Sequence, residues 1–142
     1  MKGFESLLSG MDAFERVKGA VAGHATPVLA TGLSAVHKAQ LVVSITGLLQ
    51  MGGLVIVPDE ASAVRICEDI NIMAGAGTAV QYPSREPTFY DVQGVSHEYE
   101  HARLAVLGRL RAGDARIVAA SAQAALQYTM PPSVLAARTR TI

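Results

Sequence analysis

Thr-Pro-Val-Leu-Ala-Thr-Gly-Leu-Ser-Ala-Val-His-Lys-Ala occupies residues 26–39, and Gly-Gly-Leu-Val-Ile-Val-Pro occupies residues 52–58. The short apolar run at 27–30 predicts a buried strand, a turn containing glycine follows it, and the pattern then predicts a helix over 35–49. Four consecutive branched residues at 54–57 are typical of a parallel strand that is buried on both faces. Strand, glycine turn, helix and strand form the unit with which nucleotide-binding α/β domains begin.

The rest of the chain continues the alternation of helices and strands. Asp59 can cap a helix that ends at Gly75, and residues 78–82 form a third predicted strand. A longer helix is predicted over 97–112, followed by a fourth strand over 117–120 and by short helical turns. This order predicts an α/β protein with a small doubly wound parallel sheet flanked by helices.

The domain organisation follows from length and pattern. A chain of 142 residues suits one domain with a sizeable core. Residues 1–25 carry apolar side chains at helical spacing and form an N-terminal helical segment, whereas residues 26–137 form the α/β domain. Residues 138–142 have the pattern of an extended segment, the start of a linker or of a next domain, which suggests a fragment of a longer protein.

Composition excludes several classes of protein. The 12 basic and 12 acidic residues balance, so no charge excess points to nucleic acid, a membrane surface or an acidic substrate. The chain shows no signal-peptide pattern, and polar residues interrupt its most apolar stretch, so no membrane span is predicted. The single cysteine, Cys67, rules out an internal disulfide and fits a reducing cytoplasm, and its helical position predicts a core thiol.

The glycine turn has the position of a phosphate loop but not its residues. Such a loop needs Gly-x-x-x-x-Gly-Lys-Ser/Thr, because glycine lets backbone N–H groups approach phosphate and the hydroxyl binds magnesium. Counting from Gly32, Lys38 falls on the lysine position. His37, however, replaces the second glycine, and Ala39 stands where the hydroxyl belongs. The other register, which starts from Thr31, has no lysine in place. The sequence therefore predicts a vestigial loop and no bound cofactor.

A second motif resembles a metal site. Residues 97–101 form His-Glu-x-x-His, the zinc-peptidase signature, in which both histidines bind the metal. On a helical wheel the predicted core side comprises Tyr99, Ala102, Val106 and Leu110. His97 and His101 then face solvent, and no third ligand follows them. The sequence therefore predicts no metal site and no catalytic residue here.

The longest irregular segment, residues 83–94, contains two prolines and ends in glycine. Loops that combine aromatic and charged side chains are often contact surfaces. The candidates for contact with other domains are Arg85, Glu86, Phe89, Tyr90 and Asp91. The simpler interpretation, a connector anchored by its two rings, stays open.

Five segments together carry a family resemblance. Residues 54–70 are Leu-Val-Ile-Val-Pro-Asp-Glu-Ala-Ser-Ala-Val-Arg-Ile-Cys-Glu-Asp-Ile, and residues 85–91 are Arg-Glu-Pro-Thr-Phe-Tyr-Asp. Arg-Leu at 103–104, Ile-Val-Ala-Ala-Ser-Ala-Gln-Ala-Ala-Leu-Gln at 117–127 and Pro-Pro at 131–132 follow. In this order and spacing they resemble the N-terminal region of bacterial transcription-repair coupling factors (Mfd). The first domain of the excision-repair protein UvrB is similar, more distantly.

The resemblance implies a degenerate P-loop, RecA-like fold similar to domain 1a of UvrB. Coupling factors have lost the phosphate loop that UvrB keeps, so no enzyme activity is implied for this chain. The family's ATP-dependent DNA translocase motor lies outside it. The region would be a scaffold, packing against other domains of the same protein in a cytoplasmic UvrB-like module that recruits UvrA to stalled RNA polymerase in nucleotide excision repair. UvrA and RNA polymerase would bind regions outside this chain, and DNA would be contacted only by the full-length protein.

Two alternatives from other classes stay open. One is a hydrolase, either with an atypical nucleotide-binding loop or with zinc. The other is a stand-alone DNA-binding module that contacts phosphates through scattered arginines. These arginines are Arg103, Arg109, Arg111, Arg116, Arg138 and Arg140.

Overall fold

A computed structural model describes residues 3–85 and 98–139 of the chain. Two helices come first along these residues, and strands and helices alternate after them. In chain order the elements are α1 (Asp12–Ala22), α2 (Ala35–Leu48), β1 (Gly53–Val57), α3 (Glu60–Ala74), β2 (Ala79–Tyr82), α4 (Glu98–Ala112), β3 (Ile117–Ser121), α5 (Ala122–Leu126) and α6 (Pro132–Arg138).

The three strands form one parallel sheet in the order β1-β3-β2. Two helices, α2 and α3, pack on one face of this sheet, whereas α4 and α5 pack on the other. The predicted α/β class with a small doubly wound parallel sheet is therefore confirmed. None of the described helices has the length and apolar character needed to cross a bilayer.

The central strand β3 is buried on both faces. Ile117 and Ala119 contact the first core cluster, which includes Ile70 of α3 and Val43 of α2. Ala120 belongs to the second cluster on the opposite face. Successive strand residues point to opposite faces, so this double burial explains the nearly continuous apolar run of β3.

Helix α2 lies between the sheet side of the core and the N-terminal segment. Its polar side chains Gln40 and Ser44 are buried, and both donate hydrogen bonds to the carbonyl oxygen of Phe4, at 2.6 and 3.4 Å. A Cβ atom on Gly47 would lie 2.7 Å from the side chain of Glu5, which would have to move to make room for it. The N-terminal residues therefore form an outer layer over α2.

Both local caps predicted for this half of the chain are confirmed. The Ser34 side chain accepts a hydrogen bond from the His37 N–H at 3.4 Å, at the start of α2. The Asp59 carboxylate accepts one from the Ser62 N–H at 2.7 Å, at the start of α3. Cys67 is a buried core thiol, as predicted, and burial together with the negative charge of Glu68 raises its pKa.

The strand predicted at 27–30 is wrong. Residues 22–32 are exposed, and no strand is formed between α1 and α2. Backbone groups from 26 to 33 make no backbone hydrogen bond with any other described residue. A strand requires a neighbour that pairs with it, and a short apolar run does not reveal whether one is present.

The end of the chain also differs from its prediction. Arg138 is the last residue of α6 rather than the start of an extended segment, and Thr139 alone is extended. Residues 140–142 lie outside the described part of the chain.

Candidate functional site

The five positions of the predicted vestigial phosphate loop are divided between the core and the surface, where Thr31 and His37 help to line a largely apolar cavity of about 700 Å³. Thr31, Gly32, His37 and Lys38 are exposed, whereas Ala39 is fully buried in the first core cluster. Because no strand precedes this turn, its backbone N–H groups are not held at an edge of the sheet. A side chain at position 39 points into the core, where a hydroxyl would not reach a ligand.

In parallel α/β sheets, ligands bind outside the carboxyl ends of the strands. Here β1, β2 and β3 end at Val57, Tyr82 and Ser121, on the same side of the sheet. The polar side chains that meet there are the edge cluster: Glu60, Gln81, Arg103, Ser121 and Gln127. The contacts of these five residues determine what chemistry the carboxyl edge of the sheet can support.

Glu60 connects all three strand ends. It lies in the first turn of α3, directly after β1. One carboxylate oxygen accepts hydrogen bonds from the Ser121 hydroxyl and, at 3.2 Å, from the Ser84 N–H. The other accepts from the Gln81 amide at 2.9 Å. The carboxylate is thus engaged by the protein's own donors.

Arg103 is the buried cation of the site. It is 3% exposed, and its guanidinium lies 4.0 Å from the centre of the Tyr82 ring. Its hydrogen-bond acceptors are the carbonyl oxygens of Pro83 (2.7 Å), Ala124 (3.5 Å) and Tyr128 (3.3 Å) and the side-chain oxygen of Gln127 (3.2 Å). The planar guanidinium group carries five N–H donors, so it can satisfy this set of oxygen atoms. No other side chain has donors in this arrangement.

Sequence analysis missed this role of Arg103. The wheel placed Tyr99 and Ala102 on the core side of α4, but both are exposed. The buried side is rotated toward Arg103, Val106 and Leu107, because α4 packs against the end of β2. Val106 and Leu107 follow Arg103 at spacings of three and four and so share one helix face with it. This spacing was the signal that could have placed Arg103 on the buried side of α4.

Helix N-termini at this edge are closed by side chains of the chain itself. Ser121 accepts from the Ala124 N–H at 3.0 Å and caps α5, while Asp59 caps α3. The α3 terminus therefore carries two carboxylates, those of Asp59 and Glu60. Helix N-termini attract phosphate through their free N–H groups and dipole, and here a cap engages one N–H at each terminus while two carboxylates oppose the dipole of α3.

The free volume beside the edge cluster is unevenly distributed. The cavity that Tyr82, Arg103 and Tyr128 help to line measures about 110 Å³, whereas the one between Gln81, Pro83 and α4 measures about 380 Å³. Small-molecule sites commonly occupy about 300–1,000 Å³. The protein's own side chains therefore fill the space around Arg103, and an open cleft remains between Gln81 and α4.

No family model, curated protein or solved structure matches this chain. Function therefore has to be inferred from the edge cluster and from the turn before α2.

The predicted interdomain residues are only partly described. Arg85 is half-exposed and its guanidinium forms an ion pair with Glu100 at 3.1 Å. The Gln127 side chain also accepts from the Arg85 N–H at 2.7 Å and donates to its carbonyl at 3.1 Å. Arg85 is thus anchored within the domain. The other four candidates, Glu86, Phe89, Tyr90 and Asp91, lie outside the described residues.

Part of the His-Glu-x-x-His motif and most of the candidate arginines lie among the described residues. His101 is exposed and His97 lies outside the described residues. Within residues 3–85 and 98–139, no three His, Cys, Asp or Glu side chains are grouped to hold a metal. Arg109 and Arg116 donate to the carbonyls of Gly77 and Thr46, so with Arg103 three of the six candidate arginines bind the protein's own backbone.

The Asp59 cap predicts a dependence of stability on pH. Hydrogen bonds from the Ser62 N–H and hydroxyl lower the pKa of Asp59 below its ordinary value. A pKa lowered by folding stabilises the protein above the unfolded value, and this stabilisation is lost as pH falls through the folded value.

We expect Asp59→Asn, which keeps the cap acceptor but cannot ionise, to show a smaller fall in Tm between about pH 5 and about pH 3. Asp59→Ala should show the same flattening and a lower Tm at pH 7, because the cap itself is lost. Thermal unfolding followed by circular dichroism measures all three proteins. If Tm of Asp59→Asn falls with pH in parallel with Tm of the wild type, the pH dependence does not come from the Asp59 carboxylate.

Proposed function

We propose that this domain is a non-catalytic scaffold, a degenerate nucleotide-binding fold in the UvrB-like module of a transcription-repair coupling factor. The observation that supports it is the edge cluster. Glu60 and Arg103 occupy the place where a nucleotide would bind, and both are engaged by groups of the same chain. A site closed in this way needs no cofactor to complete its fold.

The physical contrast with an active phosphate site supports the same proposal. An active site of this class offers uncapped N–H groups and a cation to a triphosphate. This domain offers the carboxylates of Asp59 and Glu60 at the start of α3, and Arg103, the one buried cation among its described residues, donates to backbone carbonyls. Anion binding at this edge would require breaking contacts that stabilise the strand ends.

The remaining part of the proposal rests on the resemblance to coupling factors, which runs from about Thr26 to the last residue of the chain. In that setting the domain packs against other domains of the same protein and supports the module that recruits UvrA to stalled RNA polymerase. UvrA, RNA polymerase and DNA would be bound by regions outside this chain, in the cytoplasm. The loop that begins at Arg85 is the proposed contact with other domains.

Nucleotide titration tests the non-catalytic assignment. We expect isothermal titration with ATP and Mg²⁺ to give no binding heat, and about 1 mM ATP to leave Tm unchanged, because only ligands that bind the folded state raise it. Lys38→Ala is the matched variant, since Lys38 is the one loop cation in the lysine position. A micromolar Kd that disappears in Lys38→Ala would overturn the scaffold proposal.

The genomic reading frame that encodes residues 1–142 tests the family assignment separately. Coupling factors carry their helicase-like motor downstream of this region, so we expect the frame to continue into such a motor. A frame without one would contradict the assignment to this family, whatever the result of the nucleotide titration.

A further inference from the structure

The two edges of the sheet are treated differently. At the β2 edge, the Asn71 side chain accepts from the Ala79 N–H at 2.9 Å and donates to the Ala79 carbonyl at 3.0 Å. This amide imitates a neighbouring strand and covers the outward backbone groups of Ala79 in β2. Edge strands protected in this way do not recruit another strand.

The β1 edge has no such cover among the described residues. The Gly53 N–H points toward β3, where it donates to the Arg116 carbonyl at 3.0 Å. Because backbone groups alternate along a strand, the N–H and C=O groups of Leu54 and Ile56 point away from the sheet. Their side chains are 62% and 56% exposed. The strand Gly53–Val57 contains neither a charge nor a proline that would discourage pairing.

A segment with unpaired backbone lies beside this edge. Residues 27–31, which we name the strap, make no backbone hydrogen bond with any other described residue, and Leu29 is 87% exposed. Residues 26–28 and 30 line a largely apolar cavity of about 460 Å³. On the other side this cavity is lined by residues 51 and 52, which precede β1, and by residues 53–55 of β1 itself. The strap and the open edge therefore face the same gap.

The handedness of the crossovers fixes where a strand before α2 can lie. The connection from β1 through α3 to β2 moves along the sheet past β3, and such connections are right-handed. Helix α2 packs beside α3 on the same face. A right-handed connection through α2 must then approach β1 from its outer side. A strand formed by the strap would thus lie parallel to β1, on its free edge.

We propose that the strap closes on the free edge of β1 as a fourth parallel strand, so that the chain exchanges between an open and a closed form. Closure pairs the outward groups of Leu54 and Ile56 and fills the apolar gap with Val28 and Ala30, which lie on the same face of a strand and already line the cavity. The three residues between the strap and α2 are enough for a strand-to-helix loop. The closed strap occupies the surface that a strand of another protein or of a second copy would use. This inference does not depend on the proposed function.

Amide hydrogen exchange of the whole chain, followed by NMR, tests the closure. In the open form the Leu54 and Ile56 N–H groups have no acceptor, so their exchange reports the closed form directly. We expect both amides to exchange at least about tenfold more slowly than an unprotected peptide. Exchange within about threefold of the unprotected rate would overturn the proposal.

The double variant Leu29→Pro/Ala30→Pro provides the control. The backbone groups of positions 29 and 30 point to opposite sides of a strand, so the two prolines remove one N–H from each side. Pairing is then prevented whichever side faces β1. We expect the protection of Leu54 and Ile56 to fall at least about fivefold while the Val118 and Ala120 amides of β3 stay protected, which shows that the variant is folded. If β3 also loses protection, Leu29→Gly/Ala30→Gly replaces this variant, because added backbone freedom weakens closure without removing a donor.

A second copy of the chain is the competing occupant, and dilution separates the two. Protection by the strap is independent of protein concentration, whereas protection by a partner falls on tenfold dilution and accompanies dimers in sedimentation. Protection that depends on concentration, or that the strap variants leave unchanged, would overturn the proposal.

Discussion

Replacement of Arg103 by methionine is expected to lower the free energy of unfolding by about 3 kcal/mol. The methionine side chain fills much of the volume but donates no hydrogen bond, so the carbonyls of Pro83 and Tyr128 lose the partner that the structure gives them. Loss of the cation above the Tyr82 ring adds to the effect. Relief from burying a charge offsets part of the loss, which is why the expected value is below the sum of the contacts. Urea denaturation measures the change.

Arg111→Met is the matched control, because Arg111 lies on the same helix and is exposed. We expect it to change stability by less than about 0.5 kcal/mol. Arg103→Lys should fall between the two, since an ammonium group cannot reach all the carbonyls of a planar fork. Equal stabilities of Arg103→Met and Arg111→Met would show that the buried guanidinium does not hold the strand ends together.

Glu60→Ala is expected to lower the free energy of unfolding by about 2 kcal/mol. The carboxylate accepts from Ser121, Ser84 and Gln81, and its removal leaves these donors at the sheet edge without their acceptor. Because Glu60 is partly exposed, water replaces some of these bonds and limits the loss. Glu60→Gln keeps an acceptor oxygen but places an amide donor opposite other donors, so we expect about half the effect.

Glu68→Ala on the same helix controls for helix propensity and for loss of a negative charge. Glu68 is exposed, and we expect its replacement to change stability by less than about 0.5 kcal/mol. Urea denaturation at pH 7 compares the three variants. A loss in Glu68→Ala as large as that in Glu60→Ala would attribute the effect to the helix rather than to the edge cluster.

Together these two residues explain how an α/β domain can be stable with its ligand site filled. In nucleotide-binding α/β domains the ligand lies outside the carboxyl ends of the strands. Here Glu60 and Arg103 find their partners within the chain, and every buried polar side-chain atom of the described residues has a hydrogen-bond partner. The cost of desolvating these charged groups is therefore offset by the chain's own hydrogen bonds when no ligand is present.

The local pattern of residues was sufficient for most of the secondary structure. The strand β1, the helix periods of α2 and α3, and the caps at Ser34 and Asp59 depend on neighbours within a few positions, so short-range sequence contains them. The predicted burial of β1 on both faces is wrong, because β1 lies at a sheet edge and Leu54 and Ile56 are exposed. The alternation of these elements was sufficient for the doubly wound parallel class. The lack of an intact phosphate-loop motif was visible too, since that motif depends on residue type at fixed spacing.

Pairing between distant parts of the chain could not be derived in this way. Ser121 is 61 positions from Glu60, and Tyr128 is 25 from Arg103, so their meeting depends on how the helices pack on the sheet. The strand expected at 27–30 is not formed although the free edge of β1 lies beside it, because pairing depends on how two segments approach each other in space, which the local pattern does not contain. Residue type and spacing establish which elements form, whereas the closing of the sheet edge by Glu60 and Arg103 arises from contacts that exist only once those elements are packed.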